Sequence, residues 1–382
     1  MKRLRTGYTT GACAAAAAKG AAILLRYGLA TDSVKILLPD GHDAEFQIKH
    51  TSLGNDVATC SVVKDAGDDP DVTNGAEIFV TAGASVKGQG SGIEIVGGKG
   101  VGRVTKPGLA VPVGEWAINP VPRIMIEQAV REFFPDRGVV ISVSIPDGEE
   151  RAKKTLNARL GIIGGLAILG TTGIVHPVSA KAWTDTIDSS IDVAKACGCS
   201  NVVLCTGRTS ETAAMEFFKG QGSGVKGQQA NTVLGFLAPC PLPLTPFSEE
   251  SFIMMGDHIA HGAVSCASRG FMQPFFACQF AKLLKIACGH CNTHAAVSDI
   301  EISTLSGWLY EDGAPSELAS LCHNANTARE IIIESGYSGL LLEAVFRRAI
   351  SSIKTHAPAL SPKVLLCRYD NGTPIAYDPG IL

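Results

Sequence analysis

Between Asn157 and Ala182 the chain reads NARLGIIGGLAILGTTGIVHPVSAKA, with glycine at 161, 164, 165, 170 and 173 set among isoleucine, leucine and alanine. Glycine gives up more backbone entropy on folding than any other residue. An apolar segment that uses it this often contains backbone that must approach something closely or turn tightly to meet it. The breaks are too frequent for a helix, and there is no strand alternation. Ile162, Ile163, Leu166, Ile168 and Leu169 carry the segment through the interior. Two readings follow. A buried loop beside Thr171, Thr172 and Gly173 is a place for a cofactor or substrate to lie, and a tight seam between packed layers would make the same demands.

The chain around this stretch has 382 residues, more than one core usually serves, so two domains are expected. Lys and Arg number 33 against 36 Asp and Glu, a net charge of -3 that gives no reason to expect a nucleic-acid partner. No run of eighteen uncharged apolar residues exists, so no membrane span is indicated. The start, MKRLRTGYTTGACAAAAAKG, places basic residues before an alanine run as a signal peptide does. The polar TGYTTG block and Lys19 argue against that, and a cytoplasmic protein is expected. Twelve cysteines lie scattered in apolar context, as reduced buried thiols in a cytosolic protein would.

In the first 150 residues the spacing predicts a helix over Ala12–Leu25, capped by Thr9 or Thr10. Its free N–H groups are one place for a polar ligand edge, and an ordinary capped core helix is the other reading. A hairpin is expected around Pro39-Asp40-Gly41-His42, and a strand over Thr59–Lys64. That strand runs into Asp65, Asp68, Asp69 and Asp71, which repel one another unless a cation or backbone donors meet them. Further strands are expected at Ile78–Ala82, Ile93–Val96 and Val139–Ser144, with a helix from about Ile124 to Phe134. Lys99, Arg103 and Lys106 lie in a second glycine-dense run, where such cations can face a polyanion. Arg123 opposes the field of the helix it starts, which is understandable if it engages a carboxylate. This part reads as α+β.

After the central stretch the pattern changes. Asn201–Cys205 is a strand that ends in Thr206-Gly207-Arg208-Thr209-Ser210-Glu211 and passes into a helix. Phe252–Met255 ends in Gly256-Asp257-His258 before another helical run, and Phe271–Cys278 is a third strand. Strand, polar loop and helix in succession imply a parallel sheet that binds ligands at its carboxyl ends. No GxGxxG follows a strand, so a nicotinamide dinucleotide is not supported. The expected organisation is an α+β domain over 1–155, possibly completed by 355–382, with an α/β domain over 156–354 inserted in or following it.

Several blocks together resemble one family. They are LRTGYTTGACAAAAAK, SVVKDAGDDPDVTNGAEI, GIEIVGGKGVGRVTKPGL through AINPVPR, GGLAILGTTGIVHPVS, TGRTSE and CNTHAAVSD. The chain resembles the cobalt-precorrin-5B C1-methyltransferases of anaerobic cobalamin biosynthesis over most of its length. Cys278-Gln279-Phe280-Ala281-Lys282 departs from the glycine-rich strand end expected there. The resemblance implies transfer of a methyl group from S-adenosylmethionine to ring carbon 1 of a tetrapyrrole that carries its own cobalt. It also implies a two-domain fold.

Such a substrate bears several carboxylates, and Arg5, Lys99, Arg103, Lys106, Arg123 and Lys226 are candidates to meet them, with Thr9 and Thr10 beside them. The donor is expected against Thr171, Thr172 and Gly173 and against Gly207, Arg208, Thr209 and Glu211, where an acidic residue can take ribose hydroxyls. The macrocycle can supply the nucleophilic carbon itself, and His176, Asp257 and His258 are the candidate catalytic residues for removing or restoring a proton. A metal held by the protein is not expected: Cys288, His290, Cys291 and His294 fall short of a closed zinc set. The alternatives are a non-catalytic tetrapyrrole carrier on the same cations and a metal-dependent hydrolase built on Asp68, Asp69 and His258. Partners are the cobalt tetrapyrrole, with no nucleic acid or membrane, and possibly a second copy or transient contact with neighbouring enzymes.

Overall fold

The computed structural model describes residues 4–84, 92–221, 247–298 and 302–378. The chain forms two compact units, Met1–Ala180 and Lys181–Leu382.

The first unit is α+β. Helix α1 (Thr10–Tyr27) is buried on nearly every side, from Thr10 through Ala18 and on to Leu24. Its alanines explain this: with so little side chain, the helix lies flat on a sheet and still lets a second helix pack against it. Thr9 is its cap, accepting from the Ala12 amide at 3.2 Å. The sheet contains β1 (His50–Leu53), β2 (Val57–Val63), β3 (Glu77–Ala84), β4 (Ile93–Gly97) and, after helix α2 (Pro120–Arg131), β5 (Val139–Ser144). Its order is β1-β2-β3-β5-β4, antiparallel except for the β5–β4 pair. Alternate residues of β3 and β5 are buried, so one face carries the core. Helices α1 and α2 run side by side in the same direction: Gly11 meets Pro122 at one end, and the Tyr27 and Phe133 rings meet at the other.

The glycine-rich centre belongs to this unit, where it is a packing seam. Gly7–Tyr8 pairs with Ile174–Val175, Gly100–Val101 with Gly165–Leu166, and Arg103–Val104 with Ile162–Ile163. At the crossing of Gly100, Gly148 and Gly165 a methyl group on any of the three would overlap backbone of another segment. The domain boundary accordingly falls at Ala180 and not at 155, because residues 156–180 find their partners among residues 7–10 and 99–119.

The second unit follows the first in sequence. Its parallel strands are β6 (Val203–Cys205), β7 (Phe252–Met254), β8 (Phe275–Cys278) and β9 (Lys363–Leu366), with β10 (Ile375–Tyr377) antiparallel at one edge. The order is β7-β6-β8-β9-β10. Residues 355–378 therefore do not return to the first unit: they supply β9 and β10 here. Val203, Cys205, Phe275 and Ala277 point to one face, against Ala214 and Phe218 of α4 (Arg208–Gln221). Leu204, Ile253, Phe276 and Val364 point to the other, where α3 (Ala180–Ala196), α5 (Ile259–Arg269), α6 (Phe280–Ala287) and α7 (Gly339–His356) pack. Short buried strands with no alternation are what a sheet covered on both faces requires. No helix among the described residues is long and apolar enough to cross a membrane.

Candidate functional site

In the second unit the first strand, β6, lies between the second and third, so the chain reverses direction across the sheet between β6 and β8. Open α/β sheets bind ligands in the crevice outside the carboxyl ends at such a point. Four segments meet there: Thr206–Gly207 after β6, Gly256–His258 after β7, Gln279–Lys282 after β8, and Cys367–Tyr369 after β9.

The knot between them is Lys282. Its Nζ donates to the Thr206 carbonyl at 2.7 Å and lies 2.9 Å from Oδ1 of Asp257. Thr293 donates its hydroxyl to the same Oδ1 at 2.7 Å, and its amide donates to the Asp257 carbonyl. Lys285, one turn along α6, is buried and donates to the Thr293 and Ser298 carbonyls, which fixes the following loop. The Tyr369 hydroxyl accepts from the Ala281 amide at 3.2 Å. Lys282 stands in the first turn of α6, where a cation opposes the helix field at a cost of about 0.3–1 kcal/mol. Asp257 offsets that cost. Burial works to raise the Asp257 pKa, but the Lys282 ammonium and the Thr293 hydroxyl outweigh it, so the carboxyl sits below its usual range. A carboxylate held below its usual range is a weaker base, and its value here is its fixed charge.

His258 follows directly and precedes α5. Burial lowers its pKa, assisted by His261 and opposed by Asp257, so the imidazole is neutral at pH 7. His261 itself is held by Asp188 at 3.1 Å, within a network that includes Ser265 and Arg269. Gly207, Arg208, Thr209 and Glu211 open α4, with Arg208 and Thr209 exposed. Ser210 accepts from the Gly207 amide and donates to its carbonyl, which shapes the turn.

The structure thus gathers Gly207, Arg208, Thr209, Glu211, Asp257 and His258 in one unit. The other expected residues apart from Lys226 lie in the first unit, and several are already committed. Thr9 is a helix cap, and Thr10 accepts from the Leu169 amide at 2.9 Å, so both hydroxyls have partners within the unit. The Arg5 guanidinium pairs with Asp65, Lys106 donates to the Arg159 carbonyl at 3.0 Å, and Arg123 donates to the Ile118 carbonyl at 2.9 Å. Charge visible in the sequence is here spent on neighbours invisible to it. Lys99 and Arg103 are exposed, with Arg103 stacked on Trp116 at 4.1 Å. Lys226 lies outside the described residues. Thr171, Thr172 and His176 are exposed, Thr172 closing a turn onto Ile174. Gly173 is buried, its carbonyl accepting from Thr9, and a methyl on it would press on Leu38. His176 is therefore in a different unit from Asp257 and His258.

Each aspartate of the acidic loop also has a partner: Asp65 and Asp68 bind Arg5, Asp69 the Val178 amide, and Asp71 Lys64. Among the described residues no three of His, Cys, Asp and Glu converge to hold a metal, the Cys288–His294 set included. Lys282 and Thr293 were not on the sequence's list of site residues. The one sign of Lys282 was the QFAK run where a glycine-rich strand end was expected.

Comparison with known proteins covers nearly the whole chain. Residues 1–177 match the family model described as CbiD, and residues 292–378 match that of the CbiD C-terminal domain. The cobalt-precorrin-5B C(1)-methyltransferase of Pelobacter propionicus is 53% identical over 370 residues, 96% of this chain and 94% of that one. The Geotalea daltonii enzyme of the same description is 52% identical, covering 96% of each chain. Among solved structures, the cobalamin biosynthesis protein CbiD from Archaeoglobus fulgidus is 29% identical, covering 73% of this chain and 78% of that one, with a TM-score of 0.36.

Proposed function

The chain belongs to the CbiD family of cobalt-precorrin-5B C(1)-methyltransferases, and from that premise we infer that it methylates ring carbon 1 of cobalt-precorrin-5B, giving cobalt-precorrin-6A. S-adenosylmethionine is the methyl donor, and the cobalt belongs to the substrate. The observation that carries this reading is the identity of 53% sustained over 96% of the chain. A tetrapyrrole carrier needs no second ligand, whereas the switch point of the second sheet is where an open α/β sheet would take one.

The donor brings an electrophilic methyl on a sulfonium. The macrocycle supplies the electron pair for the new bond and gives up one proton, so the protein's part is placement and proton removal. The loops after β6 and β7 hold the donor, with Glu211 in the first turn of α4 for the ribose. His258 is the proton acceptor, because it is neutral at working pH and stands at the carboxyl edge. Lys99 is an exposed cation of the first unit for substrate carboxylates, with Arg103, whose guanidinium also donates to the Gly114 carbonyl at 2.8 Å, beside it in sequence. The protein works in the cytoplasm, where its substrate is made.

Replacing His258 by Gln is expected to lower kcat about 100-fold, the scale of a lost general base. The wild-type acid limb of kcat/KM is expected below the ordinary histidine value, since His258 is held low, and that limb is absent in the variant. Transfer of labelled methyl to the cobalt tetrapyrrole across pH 5–8 measures both. A wild-type protein that binds the tetrapyrrole yet transfers no label would overturn the reading in favour of a carrier.

A further inference from the structure

We propose that Lys282 and Asp257 form a clamp for the zwitterion of an α-amino acid, the methionyl end of the methyl donor. The inference rests on the donor reading given above and assigns its polar end.

The ammonium of Lys282 has three protons. Thr206 takes one at 2.7 Å, Oδ1 of Asp257 stands in ion-pair contact at 2.9 Å, and among the described residues the ammonium has no other partner. Oδ1 of Asp257 also receives the Thr293 hydroxyl, which leaves Oδ2 without a hydrogen-bond donor among those residues. One donor and one acceptor of opposite charge thus remain side by side at the carboxyl edge. The side chains are 33% and 24% exposed, open enough to be reached and closed enough to be fixed.

Charge selects the ligand. An isolated anion that approaches Lys282 meets the Asp257 carboxylate, and an isolated cation meets the reverse. An α-amino acid carries ammonium and carboxylate on one carbon and satisfies both without adding net charge. Charge-assisted hydrogen bonds on both sides make the match stronger than a neutral one. The geometry also accounts for a lysine in a helix's first turn. As a mere surface pair it would be worth no more than about 1 kcal/mol, set against its unfavourable place in the helix field. Thr293 and Lys285 keep the loop behind Asp257 from turning the carboxylate away.

The test compares two ligands that share the nucleoside and the thioether sulfur. S-adenosylhomocysteine carries the amino acid and 5′-methylthioadenosine does not. Calorimetric titration of the full chain is expected to show the first binding at least about tenfold more tightly, a difference of roughly 1.4 kcal/mol. In Lys282→Met that advantage falls to about twofold or less, because S-adenosylhomocysteine loses more affinity than methylthioadenosine does. Asp257→Asn does the same from the ammonium side, and Lys282→Arg keeps part of the advantage. If Asp257→Asn fails to fold, Lys282→Met decides alone. Equal weakening of both ligands in Lys282→Met would make Lys282 a purely structural tie and overturn the clamp. So would a wild-type protein that binds both ligands alike, which leaves the donor site standing. A wild-type protein that binds neither, with or without tetrapyrrole, would overturn the donor site and the clamp with it.

Discussion

Asparagine at position 71 is expected to destabilise the first unit by roughly 3 kcal/mol, the lower end of what breaking a buried ion pair costs. The Lys64 side chain is 1% exposed, and its ammonium lies 2.6 Å from Asp71. Asp71→Asn leaves that cation in the core without its paired carboxylate. Lys64→Met should cost less, since the orphaned carboxylate is a quarter exposed and keeps the Thr73 amide and hydroxyl as donors. The pH dependence has a definite sign. Burial works to raise the Asp71 pKa, but the charge and hydrogen bond of Lys64 and the donors of Thr73 hold it below the usual value. The pair's stabilisation is thus complete above the unfolded carboxyl pKa near 4 and is lost as pH falls through the lower folded value. Urea unfolding should show the deficit of Asp71→Asn at pH 7 and a smaller one at pH 3. A deficit that is equal at both would remove the ion pair as its cause.

Alanine at Gly100 should be worse still. Gly100 has φ of +76°, so alanine costs about 1–2 kcal/mol for the left-handed backbone. Its methyl would also overlap the Ile145 carbonyl, adding about 1–3 kcal/mol of overpacking that rigid backbone cannot relieve. Gly75 supplies the control within the same unit, with φ of +73° and open space around the missing methyl. Gly75→Ala should show the backbone cost alone. If both variants melt at the same temperature, the three-glycine crossing is not a close-packed point.

Local chemistry was legible in the sequence, and long-range partnership was not. The helix expected over Ala12–Leu25 spans Thr10–Tyr27, and Thr9 caps it, because propensity and capping act within a few residues. The strand, loop and helix units of the second half stand as a parallel sheet for the same reason. The helix after β6 begins at Arg208 and not at Glu211, and only Phe275–Cys278 of the run from Phe271 is strand. The glycines of the central stretch announced close approach, but the approaching atoms belong to Gly100 and Thr9, far off in sequence. The domain boundary was therefore placed some 25 residues too early. Arg5, Lys106 and Arg123 read as free cations because nothing local marks Asp65 or a distant carbonyl as their partner. Lys282 is not legible as a site residue because a lysine in a short apolar helix carries no motif. Its meaning comes from two strand ends that the sheet brings beside it.

The pairing of Gly7–Tyr8 with Ile174–Val175 bears on how the chain is made. Ribosomes deliver residues at about 5–20 per second, and domains fold as units when their last essential segment has emerged. The first helix leaves the exit tunnel many seconds before the segment that closes over its cap. The sheet and the second helix that bury most of it are made in that interval, but its capped first turn must wait without the strand that closes over it. Chains arrested after residue 155 should stay protease-sensitive around residues 4–10, and chains arrested far enough on to expose residue 180 should become resistant there. The glycine seam is thus the last stitch of the amino-terminal half, and synthesis has to reach it before the start of the chain is secure.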